Sequence, residues 1–128
     1  MPQSICVTCG TQFEESARPP DRCPICDEAR QYVNPRGQAW TSIDDLRRDR
    51  RNVLVEEESR LTGIRTEPSF AIGQRALLIQ TSSGNVLWDC VSMIDEETER
   101  GVRALGGIAA IAISHPHYYS SMVEWSRV

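Results

Sequence analysis

Lysine is missing altogether, so all 14 basic side chains in the 128 residues are arginine. We read that bias as a property of the lineage and attach no function to it. Long hydrophobic runs are missing too, and no stretch approaches the roughly 20 apolar residues of a membrane-spanning helix. No apolar run follows a basic amino terminus, so an export signal is not expected and the chain is assigned to the cytoplasm. Positive charge is in short supply, with 14 basic residues against 18 acidic ones and a formal net charge of −4. That balance argues against nucleic acid or a membrane surface as a partner. Histidine is scarcer still, at two residues. A four-coordinate metal site built on them needs ligands from elsewhere.

Cysteine, by contrast, occurs five times, and four of the five form the pairs Cys6-Val7-Thr8-Cys9 and Cys23-Pro24-Ile25-Cys26. Each tight turn presents two sulfurs on one side, and two such turns supply the four soft ligands of a tetrahedral ion. Gly10 relieves the backbone after the first knuckle, and Pro24 stiffens the second. Pro19-Pro20-Asp21 reads as the turn leading into it. So short a segment cannot bury enough surface to fold alone, and a metal should supply its folding energy, on the order of 10 kcal/mol. Disulfides do not suit a chain without an export signal. Residues 1–35 are therefore assigned to a zinc ribbon, with a structural tetrathiolate zinc on Cys6, Cys9, Cys23 and Cys26. The knuckles also resemble those of rubredoxins, which hold iron. Asp27 replaces the glycine common there after the second knuckle, and only Phe13 and Tyr32 are nearby aromatics, so iron is the less favoured ion.

Residues 36–51 read as a helical connector. Asn34-Pro35-Arg36-Gly37 makes a turn. Thr41 and Ser42 can cap a helix from Ile43, with Asp44 and Asp45 at its positive end and Arg47, Arg48, Arg50 and Arg51 at its negative end. That arginine cluster is better read as a solvated helix end than as a phosphate site. From residue 52 strand signals take over, at 53–55, 61–66 and 75–80, then the hairpin turn Ser82-Ser83-Gly84-Asn85 and a returning strand ending at Asp89. Cys90 follows as a buried, inert thiol. Ile94, Thr98, Val102 and Leu105 recur at helical spacing, and Asp95, Glu96, Glu97 and Glu99 fit a solvated face at the positive helix end better than catalytic carboxylates. Gly106-Gly107 stops that helix. Met122, Val123 and Trp125 belong to a short closing helix.

The run 108–113 is short, isoleucine-rich and apolar, the pattern of a strand buried on both faces in a parallel sheet. His115-Pro116-His117 stands where it leaves the sheet. In an extended chain, residues two apart point the same way, about 7 Å between Cα atoms, so both imidazoles can converge on one ion. Pro116 biases His115 towards extended geometry. Ligand sites in open α/β sheets lie at the carboxyl ends of strands. On the residues alone, the pair also fits a polar loop capping a strand.

These residues resemble the metallo-β-lactamase fold superfamily, whose metal loop, His-x-His-x-Asp-His, follows a buried strand. His115 and His117 match the two leading histidines. Tyr119 stands at the aspartate position and Ser120 at that of the third histidine, which departs from the family's usual hydrolytic route. Asp89 matches a hairpin-closing aspartate that braces the loop. The resemblance implies an α/β (α+β) chain, with the small zinc ribbon followed over 52–128 by the first half of an αββα sandwich. It implies a zinc at His115 and His117 as a partial second site, with Tyr119 and Asp89 as candidate catalytic residues and a small molecule as substrate. The further family ligands would lie beyond Val128, in a carboxyl-terminal half. Half a sandwich leaves an apolar sheet face, expected to drive self-association or to be covered by that missing half. The alternative is a non-catalytic binding or regulatory module with the ribbon as its docking element, or a rubredoxin-like iron electron carrier.

Overall fold

The computed structural model describes residues 3–27 and 37–128, an α+β chain with two sheets. In the first sheet, β1 (Gln3–Cys6) lies between β2 (Gln12–Glu15) and β3 (Trp40–Thr41), antiparallel to both. Ser4, Ile5 and Cys6 are all buried, as the middle strand requires. The third strand comes from the segment 36–51 expected to be a helical connector, so the small sheet extends past residue 35. Pairing with β1 sets Trp40 opposite Cys6. The turn at Asn34-Pro35-Arg36 and the ring of Tyr32 lie outside the described residues.

α1 (Ile43–Arg47) follows at once. Ser42 caps it, its hydroxyl accepting from the Asp45 N–H at 3.2 Å, with Asp44 and Asp45 in the positive first turn. The helix is shorter than the arginine pattern predicts, because Arg51 is already the first residue of the next strand. Leu46 on its inner side packs with Ile5, Phe70 and Met93, which ties the small sheet to the rest of the chain.

The second sheet is a meander, β4 (Arg51–Glu58), β5 (Leu61–Glu67), β6 (Arg75–Ile79) and β7 (Val86–Trp88), with β8 (Ala110–Ala112) beyond β7 and parallel to it. Antiparallel neighbours need only short turns, whereas a parallel pair needs a crossover. Here the crossover is α2 (Glu96–Ala104). Asp95 caps it by accepting from the Thr98 N–H at 2.8 Å and the Thr98 hydroxyl at 2.7 Å. Gly107, at φ +74°, returns its N–H to the Val102 carbonyl at 3.0 Å and ends the helix.

The strand expected over 108–113 is corrected on one point. β8 is an edge strand among the described residues, with Ala110 exposed and Ile111 and Ala112 half-buried. Its isoleucines are apolar because Ile108, Ile111 and Ile113 pack onto the core from one side only. That core lies on the face carrying Leu54, Ile64, Ala76, Leu78, Leu87 and Ile111. Val91, Ile94, Val102 and Trp125 of α3 (Met122–Trp125) cover it. The opposite face carries the row Val55, Gly63, Leu77, Trp88 and Ala112. None of these joins a buried core, and Trp88 is 43% exposed. Among the described residues no helix is long and apolar enough to cross a membrane.

Removing the α2 cap by Asp95→Ala should lower unfolding free energy by about 1 kcal/mol. In denaturant titration the midpoint should fall at unchanged slope, while Glu97→Ala stays within about 0.5 kcal/mol of the parent.

Candidate metal centre

Both cysteine knuckles close on the same backbone hydrogen bond. The Gly10 N–H donates to the Cys6 carbonyl at 2.8 Å, and the Asp27 N–H to the Cys23 carbonyl at 3.0 Å. The four Sγ atoms lie within 4.8 Å of one another, with Cys6–Cys26 and Cys9–Cys23 each 3.7 Å apart. A tetrahedron with metal–sulfur bonds of about 2.3 Å has edges of about 3.8 Å, so the set fits an ion such as zinc. Gln38 links the knuckles, donating from Nε2 to Cys6 Sγ at 3.2 Å and accepting the Cys23 N–H at 3.3 Å. The rings of Phe13 and Trp40 meet edge to face at 5.6 Å and wall the cluster.

Four thiols this close cannot all ionise. Cys6, hydrogen-bonded by the Cys23 and Cys9 thiols, is held far below the ordinary thiol value. Cys23 is pushed up by the same contacts. Cys26 is pushed up to about 12 by burial and by the charge of Cys9 and Cys6. A divalent cation removes this conflict and displaces the protons, so binding strengthens as pH rises.

The histidines lie where β8 ends. Asp89, directly after β7 at φ +63°, is 6% exposed. Its N–H donates to the Ala112 carbonyl at 2.7 Å, and its carboxylate accepts the Ser114 N–H at 2.8 Å and the Ser114 hydroxyl at 2.8 Å. Asp89 thus holds the start of the histidine loop.

The route by which the two imidazoles meet differs from the expectation. His115 is extended, with φ −157° and ψ 147°, but Pro116–Tyr118 form a 3-10 turn, so His117 is not in an extended chain. His115 caps that turn, its Nδ1 accepting the His117 N–H at 3.2 Å. The cap folds one ring towards the other, with centroids 4.9 Å apart and planes at 57°. Nε2 of His117 is buried without a hydrogen-bond partner. Burial, and secondarily His115, lower the His117 pKa, which keeps the imidazole neutral and able to coordinate at neutral pH.

The cysteines form a group of ligand-type side chains able to hold a metal ion, and among the described residues no such group includes the histidines. Tyr119 is 37% exposed at the end of the 3-10 turn. Ser120, at the position of a third histidine, is 3% exposed at φ +49°, and its hydroxyl lies 2.9 Å from that of Ser92. Cys90 is fully buried, its thiol pushed up to about 12 by burial and the Asp89 charge, and is inert. Sequence reasoning missed Gln38, Trp40, Gln74 and Ser114. Of these only Ser114, next to the histidine pair, stood beside a recognisable motif.

No protein-family model matches the chain, and no solved structure matches it. The chain is similar to the uncharacterized protein YmaE of Bacillus subtilis (strain 168). The two are 52% identical over 129 residues, an alignment covering 99% of this chain and 47% of the relative. The chain therefore spans about half the length of the curated relative it matches.

Two outcomes check the cysteine centre. In competition with a chelator, zinc affinity should fall steeply as pH is lowered from about 8 to about 6, because the thiols must lose protons to bind. Gly10→Ala should lower stability by about 2 kcal/mol or more, measured as thermal unfolding of the zinc form. Gly10 sits at φ +79°, and a Cβ there would lie 2.3 Å from Ser92 Oγ and 2.6 Å from Gln74 Nε2.

Proposed function

We propose that this chain is a zinc ribbon joined to the amino-terminal half of a metallo-β-lactamase-like sandwich. In this reading the four cysteines hold a structural zinc, and His115 and His117 contribute two ligands of a second, hydrolase-type zinc. The observation that carries it is the brace between Asp89 and Ser114, which fixes the start of the histidine loop against the end of β7. The parallel β7–α2–β8 crossover, the histidines at the carboxyl end of β8 and the unpartnered Nε2 of His117 support it. So does Trp88, 43% exposed on the face away from the core, which a second sheet would cover. The remaining ligands would have to come from a further stretch of protein or from a partner.

An ion held there supplies Lewis acidity towards a carbonyl or phosphoryl oxygen of a small cytoplasmic substrate. The chain's own residues have separate tasks. His115 and His117 hold, Asp89 orients the loop, and Tyr119 offers a hydroxyl where the family has a carboxylate. A route that uses that carboxylate to orient the attacking water is not part of the proposal.

A second reading, a non-catalytic module with the ribbon as docking element, is favoured by the burial of Ser120 away from any ligand role. Metal analysis separates the two. With the missing ligands supplied by a longer protein that contains this chain, the catalytic reading expects two zinc equivalents in the wild type and one in His115→Ala/His117→Ala. One equivalent in both would reject it. A colourless protein is expected, since an iron tetrathiolate absorbs visible light and zinc does not.

A further inference from the structure

We propose that Gln74 is a positioning residue through which metal binding at the four cysteines orders the histidine loop. Gln74 is 5% exposed, so its amide must find partners within the protein. Its Nε2 donates to the Cys9 carbonyl at 2.9 Å and to the His117 carbonyl at 3.2 Å. Its Oε1 accepts the Ser92 N–H at 2.9 Å. Two carbonyls on one side and an N–H on the other fix the orientation of the amide.

Ser92 extends the same bridge. Its hydroxyl donates to the Gly10 carbonyl at 2.5 Å and meets the Ser120 hydroxyl at 2.9 Å. A separate strap runs from the Gln12 N–H to the Ser120 carbonyl at 2.8 Å. Cys9, Gly10 and Gln12 belong to the first knuckle and the strand after it, whereas His117 and Ser120 belong to the histidine loop. The knuckle keeps its shape only while the four sulfurs are reconciled by a cation. Without one, the Cys9 and Gly10 carbonyls leave their places, the buried Gln74 amide keeps only the His117 carbonyl, and the Ser92 hydroxyl turns to Gln74 Oε1 at 2.9 Å. The loop then loses its anchor on that side. The coupling is reciprocal, so a loop held in place also favours the metal-bound knuckle. This inference rests on the tetrathiolate reading and does not require the histidines to bind an ion.

Hydrogen exchange on the full chain, with zinc bound and with zinc removed, tests it. Amides in 117–122 and that of Gln12 should exchange at least tenfold more slowly with zinc, while those of β5 and β6 change less than twofold. Gln74→Met should retain the visible spectrum of a cobalt tetrathiolate yet lose the zinc-dependent slowing at 117–122. Ser92→Ala should lose part of it. The side-chain amide resonance of Gln74 should shift on zinc addition in the wild type, a response that a merely space-filling residue would not give. Equal exchange at 117–122 with and without zinc would overturn the proposal. So would a uniform loss of protection across β5 and β6, or undiminished slowing in Gln74→Met. A wild type that gives no cobalt tetrathiolate spectrum would overturn the tetrathiolate reading itself, and this inference with it.

Discussion

Electrostatic conflict among four sulfur atoms governs the amino-terminal part of this protein. Two short knuckles bring four sulfurs to within 4.8 Å of one another, the closest pairs 3.7 Å apart, a spacing at which they cannot all ionise without a cation between them. The surrounding residues are arranged around that demand. Gln38 bridges the two knuckles, Trp40 and Phe13 shield the sulfurs from solvent, and Gly10 takes a left-handed conformation that lets the first knuckle press against Gln74 and Ser92. A sheet with strands of four, four and two residues has little apolar surface to hold it together, so an ion on the cysteines would take the part that a core plays elsewhere.

The larger sheet obeys a different constraint. Its meander forms from neighbours in sequence, and its one parallel pair is made by a helix that must cross over and deposit β8 beside β7. That crossover delivers the histidines to the end of β7, where Asp89 receives them through Ser114. The site's geometry is therefore assembled from both sides. The sheet fixes where the loop begins, and the buried Gln74, Ser92 and Ser120 cluster fixes where it ends.

Features with local causes could be read from the sequence. The cysteine quartet was legible because ligand spacing is a property of tight turns, and the cap at Ser42 because an N-cap involves residues three apart. The hairpin at 82–85 followed from turn chemistry. Trp40 was not legible, since a two-residue strand has no period to detect. Nor was the edge position of β8, because an apolar strand packed from one side and one packed from both sides can share the same isoleucines. Pro116 was read for only half of what it does. It does leave His115 extended, but a proline also suits the first position of a helical turn, and here it opens one. Gln74 gave no signal, since its partners lie far away along the chain.

The hydrogen bond between Gln12 and Ser120 joins residues far apart in sequence. A ribosome releases the cysteine knuckles long before it makes the turn against which the first of them rests. The nascent cysteine cluster could therefore take up an ion early, but one wall of it stays open until synthesis has passed residue 120. During that interval the knuckle offers its Cys9 and Gly10 carbonyls to solvent, and the turn around residue 120 is the one that shuts it.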